Sequence, residues 1–260
     1  MLTYAGDAMT TIDVRPAAYA DVRDLRELYR QEANVQIVRD SALVRGFAQA
    51  YHVWFEGRLA GYGAVGTRYN TDHVLEFYVV PHLRSRALPI FRELLAVSRA
   101  THIQAQTNMP LMLQLLYDCA QQITSEAILF ADAATTQLEC RAGRFRRATA
   151  EDQPSIFTHA HEPVGEWVIE MESDIVATGG FLTHYNPPYA DIFMEVATAV
   201  RQQGYGSYLV QELKRVCYEA GKKPAARCNP DHLASRRTLE KAGFLPCGRL
   251  LVGAVSAAQS

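Results

Sequence analysis

The sequence lacks the cysteine pattern of a disulfide-stabilised or zinc-binding domain. Its 260 residues contain five cysteines, an odd number, and no two of them form a Cys-x-x-Cys pair. Such a set, without any sign of an oxidising compartment, predicts free and mostly buried thiols and no metal site. The five are Cys119, Cys140, Cys217, Cys228 and Cys247.

The sequence also lacks a long apolar run, a secretory leader and a strong net charge. No uninterrupted apolar stretch approaches the roughly 20 residues of a membrane helix. The amino terminus lacks the basic and then apolar layout of a secretory signal, so we expect a cytoplasmic protein without a membrane partner. The formal net charge of -2 gives no basic field for a phosphate backbone. We therefore expect no nucleic-acid partner.

The two ends of the chain carry no pattern that predicts structure. Residues 1–10 show no apolar period, and Met9 stands just before the first strand-like run. We expect an extension there, either disordered or an artefact of start-site choice, so that Met1 and Met9 both remain open as the start. Residues 254–260 are expected to form a tail.

The first half of the chain alternates strand and helix patterns. Period-two runs bounded by turn residues predict strands, and apolar residues at helical spacing predict helices. The predicted elements are a strand at 12–15, a helix at 20–29, a hairpin at 52–65, a strand at 73–80, helices at 88–99 and 111–122, and a strand at 127–130.

The same order of elements begins again at a polar, arginine-rich stretch, residues 139–147, with a strand near Phe145, a helix that opens at Ala150, a hairpin at 167–182 and a strand at 191–196. The stretches Val79-Val-Pro-His-Leu-Arg84 and Val196-Ala-Thr-Ala-Val-Arg201 superimpose with one offset of 117 residues. This indicates an internal repeat. We therefore predict a first domain at 11–138, a linker and first strand at 139–147, and a second domain at 145–253.

A glycine-containing turn in the second copy is the main candidate for a binding site. Gly204 and Gly206 lie between a predicted strand at 191–196 and a predicted helix at 207–220. Glycine lets backbone N–H groups converge at a helix amino terminus, where the macrodipole favours an anion such as pyrophosphate. The P-loop pattern is absent, and Leu209 stands where a dinucleotide fingerprint needs a third glycine.

Two motifs in this half resemble those of the GNAT acetyltransferases. Val196-Ala-Thr-Ala-Val-Arg201-Gln-Gln-Gly204-Tyr-Gly206-Ser-Tyr-Leu209 resembles the family's cofactor loop. Asn229-Pro-Asp-His-Leu-Ala-Ser235-Arg-Arg-Thr-Leu-Glu-Lys241-Ala-Gly243-Phe244 is similar to its late helix. The two motifs occur in the family's order and spacing. The amino-terminal half resembles the fold only through the shared frame.

The resemblance implies an α/β (α+β) fold of two GNAT-like mixed-sheet domains in tandem, with helices on both faces of each sheet and a degenerate first copy. In the second copy the fourth and fifth strands, at 191–196 and about 224–228, would part around the pantetheine arm of acetyl-CoA. Backbone groups of Met194 and Val196 would bind that arm, and amides from Gln202 to Ser207 the pyrophosphate. The implied cofactor-binding residues are Met194, Val196, Arg201, Gln202, Gln203, Gly204, Tyr205, Gly206, Ser207, Asn229, His232 and Ser235.

Two residues are candidates for the chemistry. Glu195, on the fourth strand, is a candidate base, although it could equally be a solvated or salt-bridged strand carboxylate. Tyr185, in a polar turn, could bind the acceptor or donate a proton, or be an ordinary turn residue. Many family members carry at the position of Leu239 a tyrosine that protonates the leaving thiolate, which leucine cannot do.

The expected function is transfer of the acetyl group of acetyl-CoA to a primary amine, preferably of a small molecule, by direct attack on the thioester. A non-catalytic acyl-CoA sensing module and a protein amino-terminal or lysine acetyltransferase remain alternatives. The first copy has Ala87 and Pro89 opposite the two glycines, so it would serve as a pocket wall, a lid or a dimerisation surface. A homodimer therefore stays open.

Overall fold

The computed structural model describes residues 11–33, 40–140, 142–183 and 187–256. The predicted extension at 1–10, most of the predicted tail, and the turn residues His184 and Tyr185 lie outside the described residues. The chain divides into two compact units, and each is described separately below. Unit 1 comprises Met1–Thr124 and Leu250–Ser260, and unit 2 comprises Ser125–Arg249.

Unit 1 is a mixed sheet with helices on both faces. Its strands lie in the order of the chain, and a later segment, Leu250 to Ala254, pairs antiparallel with the fifth strand. The strands are β1 (Ile12–Ala17), β2 (Ala48–Phe55), β3 (Arg58–Gly66), β4 (His73–Val79) and β5 (His102–Gln106). The helices are α1 (Tyr19–Glu32), α2 (Asp40–Val44), α3 (Ala87–Ser98) and α4 (Pro110–Cys119).

Buried side chains that alternate along the strands of unit 1 form two separate apolar clusters. On β4, Phe77 and Val79 pack with Ile90 of α3, whereas Tyr78 between them packs with Val22 of α1. Successive strand side chains point to opposite faces, so α1 and α3 cover opposite sides of the sheet.

Unit 2 again combines helices with parallel and antiparallel strands. Its strands are β6 (Ala120–Asp132), β7 (Arg144–Arg147), β8 (Trp167–Met171), β9 (Asp174–Leu182), β10 (Tyr189–Val196) and β11 (Lys223–Cys228), and β12 (Phe244–Val255) begins here. The helices are α5 (Tyr205–Glu219) and α6 (Leu233–Lys241). From β6 the order is β6, β11, β10, β9, β8 and β7, with β10 and β11 parallel. The mixed α/β fold expected from the sequence is confirmed.

The two units divide within continuous strands, and the domain bounds 11–138 and 145–253 stay predictions. Unit 2 begins at Ser125, inside β6, and ends at Arg249, inside β12. A boundary that falls within continuous strands leaves no glycine, proline or polar signal in the sequence. Within the stretch predicted as linker and first strand, Arg144–Arg147 forms β7, which pairs with β8.

Two predicted helices differ in detail from the structure. The pattern that opens at Ala150 forms only a 3-10 turn, Ala150–Ser155, because Pro154 cannot continue a hydrogen-bonded helix. The helix predicted to reach residue 122 ends at Cys119, since Ala120 already belongs to β6. No helix in the described part of the chain is both long and apolar enough to cross a membrane.

One backbone contact recurs at the predicted repeat offset. Arg84 Nε donates to the carbonyl of Val79 at 3.3 Å in unit 1, and Arg201 Nε donates to the carbonyl of Val196 at 3.2 Å in unit 2. In both units an arginine five residues beyond the strand end thus caps the last carbonyl of that strand. The repeat therefore extends to individual hydrogen bonds.

A buried lysine connects α5 to two neighbouring elements of unit 2. Lys214 of α5 is 2% exposed, and its Nζ lies 2.7 Å from Asp132 Oδ1. The same ammonium donates to the carbonyls of Ala134 (2.6 Å) and Ala242 (2.8 Å) and lies 5.0 Å from the Phe244 ring centroid. A buried ammonium is tolerated only with such a full set of partners. Lys214 therefore joins α5 to the ends of α6 and β6.

Replacing this lysine tests the arrangement. Lys214→Met is expected to lower the free energy of unfolding by roughly 2–4 kcal/mol, because it leaves Asp132 without its cation. Urea denaturation followed by fluorescence measures the change. Arg215→Met is the matched control, since the exposed pairs of Arg215 with Glu212 and Glu219 contribute only about 0–1 kcal/mol. Equal losses in the two variants would contradict the assigned role.

Candidate active site

The site begins where two parallel strands part. β10 and β11 pair from Tyr189↔Lys223 to Ile192↔Ala226, after which both strands continue without pairing to each other. β10 remains paired to β9 as far as Val196, and β11 remains paired to β6 at Cys228. Each strand is thus held on its outer side, so the gap between them stays open.

This gap widens into a cleft of about 1100 Å³. A cleft of that size lies at the upper end of the range for small-molecule sites and suits a long ligand. Its lining includes Glu195 and all but one of the described residues predicted to bind the cofactor. Those residues are Met194, Val196, Arg201, Gln202, Gly204, Tyr205, Gly206, Ser207, Asn229, His232 and Ser235.

The amino terminus of α5 supplies backbone donors to this cleft. Gly204 is the N-cap, with φ of 95°, and Gln202 also has a positive φ of 66°. First-turn amides of a helix have no partner within the helix, and Gly204 has no side chain to cap them. The N–H groups of Tyr205, Gly206 and Ser207 are therefore left without a partner inside the helix, as the predicted anion site requires.

Gly206 differs from Gly204 in that the space around it, and not a positive φ, favours glycine. A methyl group on Gly206 would lie 3.3 Å from Thr238 Cγ2 and 3.4 Å from both Met194 Cε and Val196 Cγ2. Such contacts are tighter than ordinary van der Waals distance. Glycine here lets α5 approach the wall of the cleft closely.

Three basic side chains surround this amino terminus. Arg201, Arg237 and Lys241 all line the cleft, and Lys241 Nζ would lie 4.0 Å from a methyl group on Gly204. Arg237 and Lys241 were not among the predicted site residues. Lys241 belongs to the quoted motif, so its spacing was a usable signal, whereas Arg237 resembles any exposed helix residue.

The beginning of α6 is held by a local turn. Asn229 Oδ1 accepts from the Asp231 amide at 2.8 Å, and the Asn229 carbonyl accepts from the His232 amide at 3.0 Å. An asparagine side chain that closes such a turn fixes the direction in which the helix starts. His232 and Ser235 consequently lie along the cleft.

Three predicted positions have surroundings that limit their roles. Gln203 is exposed and lies outside the cleft lining. The Tyr205 side chain is buried, with its hydroxyl 3.1 Å from Met171 Sδ, so only its backbone can contact a ligand. Leu239 is buried in the apolar core, which confirms that no proton donor stands at that position.

Glu195 is bound on both carboxylate oxygens by backbone amides. Oε1 accepts from Ala160 at 2.9 Å, and Oε2 accepts from His161 at 3.1 Å and Glu162 at 3.0 Å. Burial raises the pKa of Glu195, but the three N–H donors outweigh burial and hold the pKa below its ordinary value. The carboxylate therefore stays ionised and anchors residues 160–162.

A histidine reinforces the same segment. His159 Nδ1 lies 2.9 Å from the Glu162 carbonyl, and Nε2 lies 3.1 Å from Thr178 Oγ1. A carbonyl can only accept, so Nδ1 of His159 carries a proton and donates it to the Glu162 carbonyl. Thr178 Oγ1 in turn accepts from the Gly165 amide at 3.3 Å. Residues 159–165 are thereby fixed against β9 and β10.

Two more carboxylates lie near this segment. Asp191 is 5% exposed and accepts from Arg227 Nε at 2.9 Å, with a second guanidinium nitrogen at 2.8 Å. Burial raises the pKa of Asp191 to about 6 even though Arg227 favours its charged form. Glu162 lines the cleft, and burial of its carboxyl raises its pKa above the ordinary value. The sequence around Glu162 has no period or motif that could have identified it.

The corresponding place in unit 1 is filled. β4 and β5 pair only at His73↔His102 and Val74↔Ile103 before they part. The space beyond holds a cavity of only about 10 Å³, and α3 begins with Ala87 at a helical φ of -59°. The side chains that fill the gap include Tyr29, Leu75, Gln104, Gln106, Met109 and Met112.

Two protein-family models match the chain. The "Acetyltransferase (GNAT) family" matches residues 131–244, and the "Acetyltransferase (GNAT) domain" matches residues 19–133. The chain therefore belongs to the GNAT acetyltransferases and carries two copies of the domain in tandem. Membership implies acyl transfer from an acyl-CoA. No curated protein matches the sequence.

Solved structures with the same fold come from several members of this family. A GNAT-family acetyltransferase from Colwellia psychrerythraea is 16% identical, with a TM-score of 0.75 over 94% of this chain and 100% of that one. A tandem GNAT protein from the clavulanic acid biosynthesis pathway is 13% identical, with a TM-score of 0.65 over 96% and 100%. A GCN5-related N-acetyltransferase from Sphaerobacter thermophilus is 14% identical, with a TM-score of 0.56 over 93% and 94%. At these identities the likeness concerns the fold.

The anchoring role of Glu195 can be tested without any ligand. Glu195→Gln is expected to lower the hydrogen-exchange protection of the amides of residues 160–162 by about 10-fold or more, since hydrogen bonds to a charged acceptor are lost. In the wild type this protection should persist from neutral pH down through the ordinary glutamate pKa. It should fall only as the pH drops through the lowered pKa of Glu195, where the carboxylate is protonated.

Glu166→Gln is the matched control for this experiment. Glu166 follows the same segment, but its carboxylate is exposed and pairs with Arg147 at 2.9 Å. Its removal should leave residues 160–162 protected. Unchanged protection in Glu195→Gln would show that the three amide contacts do not hold the segment.

Proposed function

We propose that the protein transfers the acetyl group of acetyl-CoA to a primary amine of a small molecule, in the cleft of unit 2. The observation that carries the proposal is the cleft between β10 and β11, which ends at the uncapped amino terminus of α5. The parted strands leave room for an extended arm, and the lining carries the backbone donors of α5 and the cations Arg201, Arg237 and Lys241. These are the chemical requirements of a pantetheine chain that ends in phosphates.

The cofactor would lie along the cleft in one direction. The amides of Tyr205, Gly206 and Ser207 would bind the pyrophosphate, with Lys241 beside Gly204 as a further positive charge. Arg201 already donates to the Val196 carbonyl, so we assign it a loop-stabilising role with its exposed end near the phosphates. Met194 and Val196 would offer backbone groups to the pantetheine arm.

The acceptor would enter at the opposite end, beside residues 160–162 and the Asp191–Arg227 pair. Residues 159–165 are held by Glu195 and Thr178, which limits the room for a large protein surface and favours a small molecule. The amine would attack the thioester directly. Tyr185, Asn229, His232 and Ser235 keep their predicted roles, and a cytoplasmic location and a homodimer stay predictions.

A non-catalytic acyl-CoA sensor is the second candidate. It is favoured by Leu239, which is buried where many family members carry the tyrosine that protonates the thiolate. Turnover separates the two functions, because a sensor would bind acetyl-CoA without releasing CoA in the presence of amines.

The glycine turn provides the first test of the proposed function. Gly204→Asp combined with Gly206→Asp is expected to abolish acetyl-CoA binding in calorimetry, because two carboxylates would face the phosphates and a side chain on Gly206 would press against Thr238. Gly221→Asp is the matched control, since Gly221 lies at the other end of α5 with nothing within 4 Å of an added methyl group. No binding by the wild type would refute the cofactor assignment.

The cations at the cleft give a second, graded test. Lys241→Ala is expected to weaken acetyl-CoA binding by about 10-fold at low ionic strength, the free-energy equivalent of about 1.4 kcal/mol, because one charge-assisted contact to phosphate is lost. The difference should shrink as salt screens the charges. Lys223→Ala, at the far end of β11, should bind like the wild type. Equal affinities for all three proteins would remove Lys241 from the site.

A further inference from the structure

Two carboxylates, Glu162 and Glu195, line the cleft, and a third, Asp191, is paired with the lining residue Arg227; Glu195 and Asp191 are already engaged. Glu195 accepts three backbone N–H groups, and Asp191 accepts two guanidinium nitrogens of Arg227. A carboxylate whose lone pairs are occupied, or whose charge is neutralised by a bound guanidinium, is a poor acceptor for a further proton.

Glu162 is the remaining carboxylate and differs from the other two. Its side chain lines the cleft. Among the described residues its carboxylate has neither a hydrogen bond nor an ion pair, although its backbone is fixed on both sides. The Glu162 amide donates to Glu195, and its carbonyl accepts from His159. The residue is therefore held in place while its acidic group remains open to a ligand.

We propose that Glu162 is the general base that accepts a proton from the acceptor's ammonium group, and that Glu195 is a positioning residue that holds it there. The inference rests on the proposed acetyl transfer and adds a catalytic residue to it. An anionic group also attracts an ammonium, whereas the neighbouring His161, which lines the cleft as well, does not.

The step balances without any further reactant. The acceptor R–NH₃⁺ gives one proton to the Glu162 carboxylate and becomes R–NH₂. The nitrogen lone pair then forms the N–C bond at the thioester carbonyl, and the C–S bond breaks with its electron pair on sulfur. The second nitrogen proton goes to the CoA thiolate, and Glu162 releases its proton to water. The products are the amide, CoA and one proton.

The charges around Glu162 suit this task. Burial and the nearby Glu195 raise its pKa, whereas Arg227, His161 and His159 lower it, and Asp191 lies within electrostatic range. The net pKa lies above the ordinary glutamate value, which brings the base closer to neutral pH. Because the base must be deprotonated, the rate should rise with pH through this raised pKa.

Glu162→Gln tests the proposal in the full-length protein. With alkylamines, which are protonated at neutral pH, kcat is expected to fall by about 10²–10³-fold, while calorimetry shows unchanged acetyl-CoA binding. With hydroxylamine, which is mostly neutral there and needs no initial deprotonation, the fall should stay under about 10-fold. The variant should also lose the rise of kcat on the acid side, and Glu162→Asp should restore part of the rate.

Glu166→Gln and His161→Ala are the controls. Glu166→Gln should retain the wild-type rate, because its carboxylate forms an exposed pair outside the cleft. If Glu162→Gln kept the wild-type kcat and pH dependence, the role of Glu162 would be refuted and the proposed acetyl transfer would stand. An equal loss of rate with hydroxylamine and with alkylamines would have the same meaning. A loss in His161→Ala with a normal Glu162→Gln would assign the role to the histidine. If the wild type neither bound acetyl-CoA nor acetylated any of the alkylamines tested, the proposed function would be refuted as well.

Discussion

The parting of β10 and β11 is the constraint on which the site depends. Both strands keep their outer partners, β9 and β6, so neither can close the gap after Ile192 and Ala226. The gap exposes backbone and side chains of two strands to one ligand and ends at the amino terminus of α5. Lys214 fixes α5 and the end of α6 beneath this cleft with one buried ammonium. The cleft is therefore a property of the sheet pairing, and the glycines adapt it to an anion.

The two copies share one backbone arrangement, but the gap between the parted strands is open in only one of them. In both units an arginine caps the carbonyl at the end of the corresponding strand, at Val79 and at Val196. In unit 1 the gap between the parted strands is filled with side chains, including Tyr29 and Met109, whose hydroxyl and sulfur lie 3.4 Å apart. In unit 2 the same gap is open. In both units the two parallel strands part after a few pairs. The units differ in the size of the side chains beside the gap and in the turn that precedes the helix.

Most strands and helices, and most residues that line the cleft near the start of α5, could be predicted from the sequence, because hydrophobic period and glycine spacing are local signals. Gly204, Gly206 and Ser235 were recognisable for this reason. The unit boundaries could not, since they fall inside continuous strands at Ser125 and Arg249. The acceptor end depends on contacts between distant residues. From its place on β10, Glu195 is a candidate base. Its hydrogen bonds to the amides of residues 160–162 show that it also holds this segment, and they draw attention to Glu162 as another carboxylate at the cleft.

The central claim is that one acetyl-CoA binds in unit 2 and none binds in unit 1. Hydrogen–deuterium exchange with and without acetyl-CoA tests it most directly, because it reports on both units in one sample. The account predicts slower exchange at residues 202–207 and 229–241 when the ligand is present, with no change at 84–91, where α3 begins in unit 1. Slower exchange at 84–91, or no change in either unit, would contradict it.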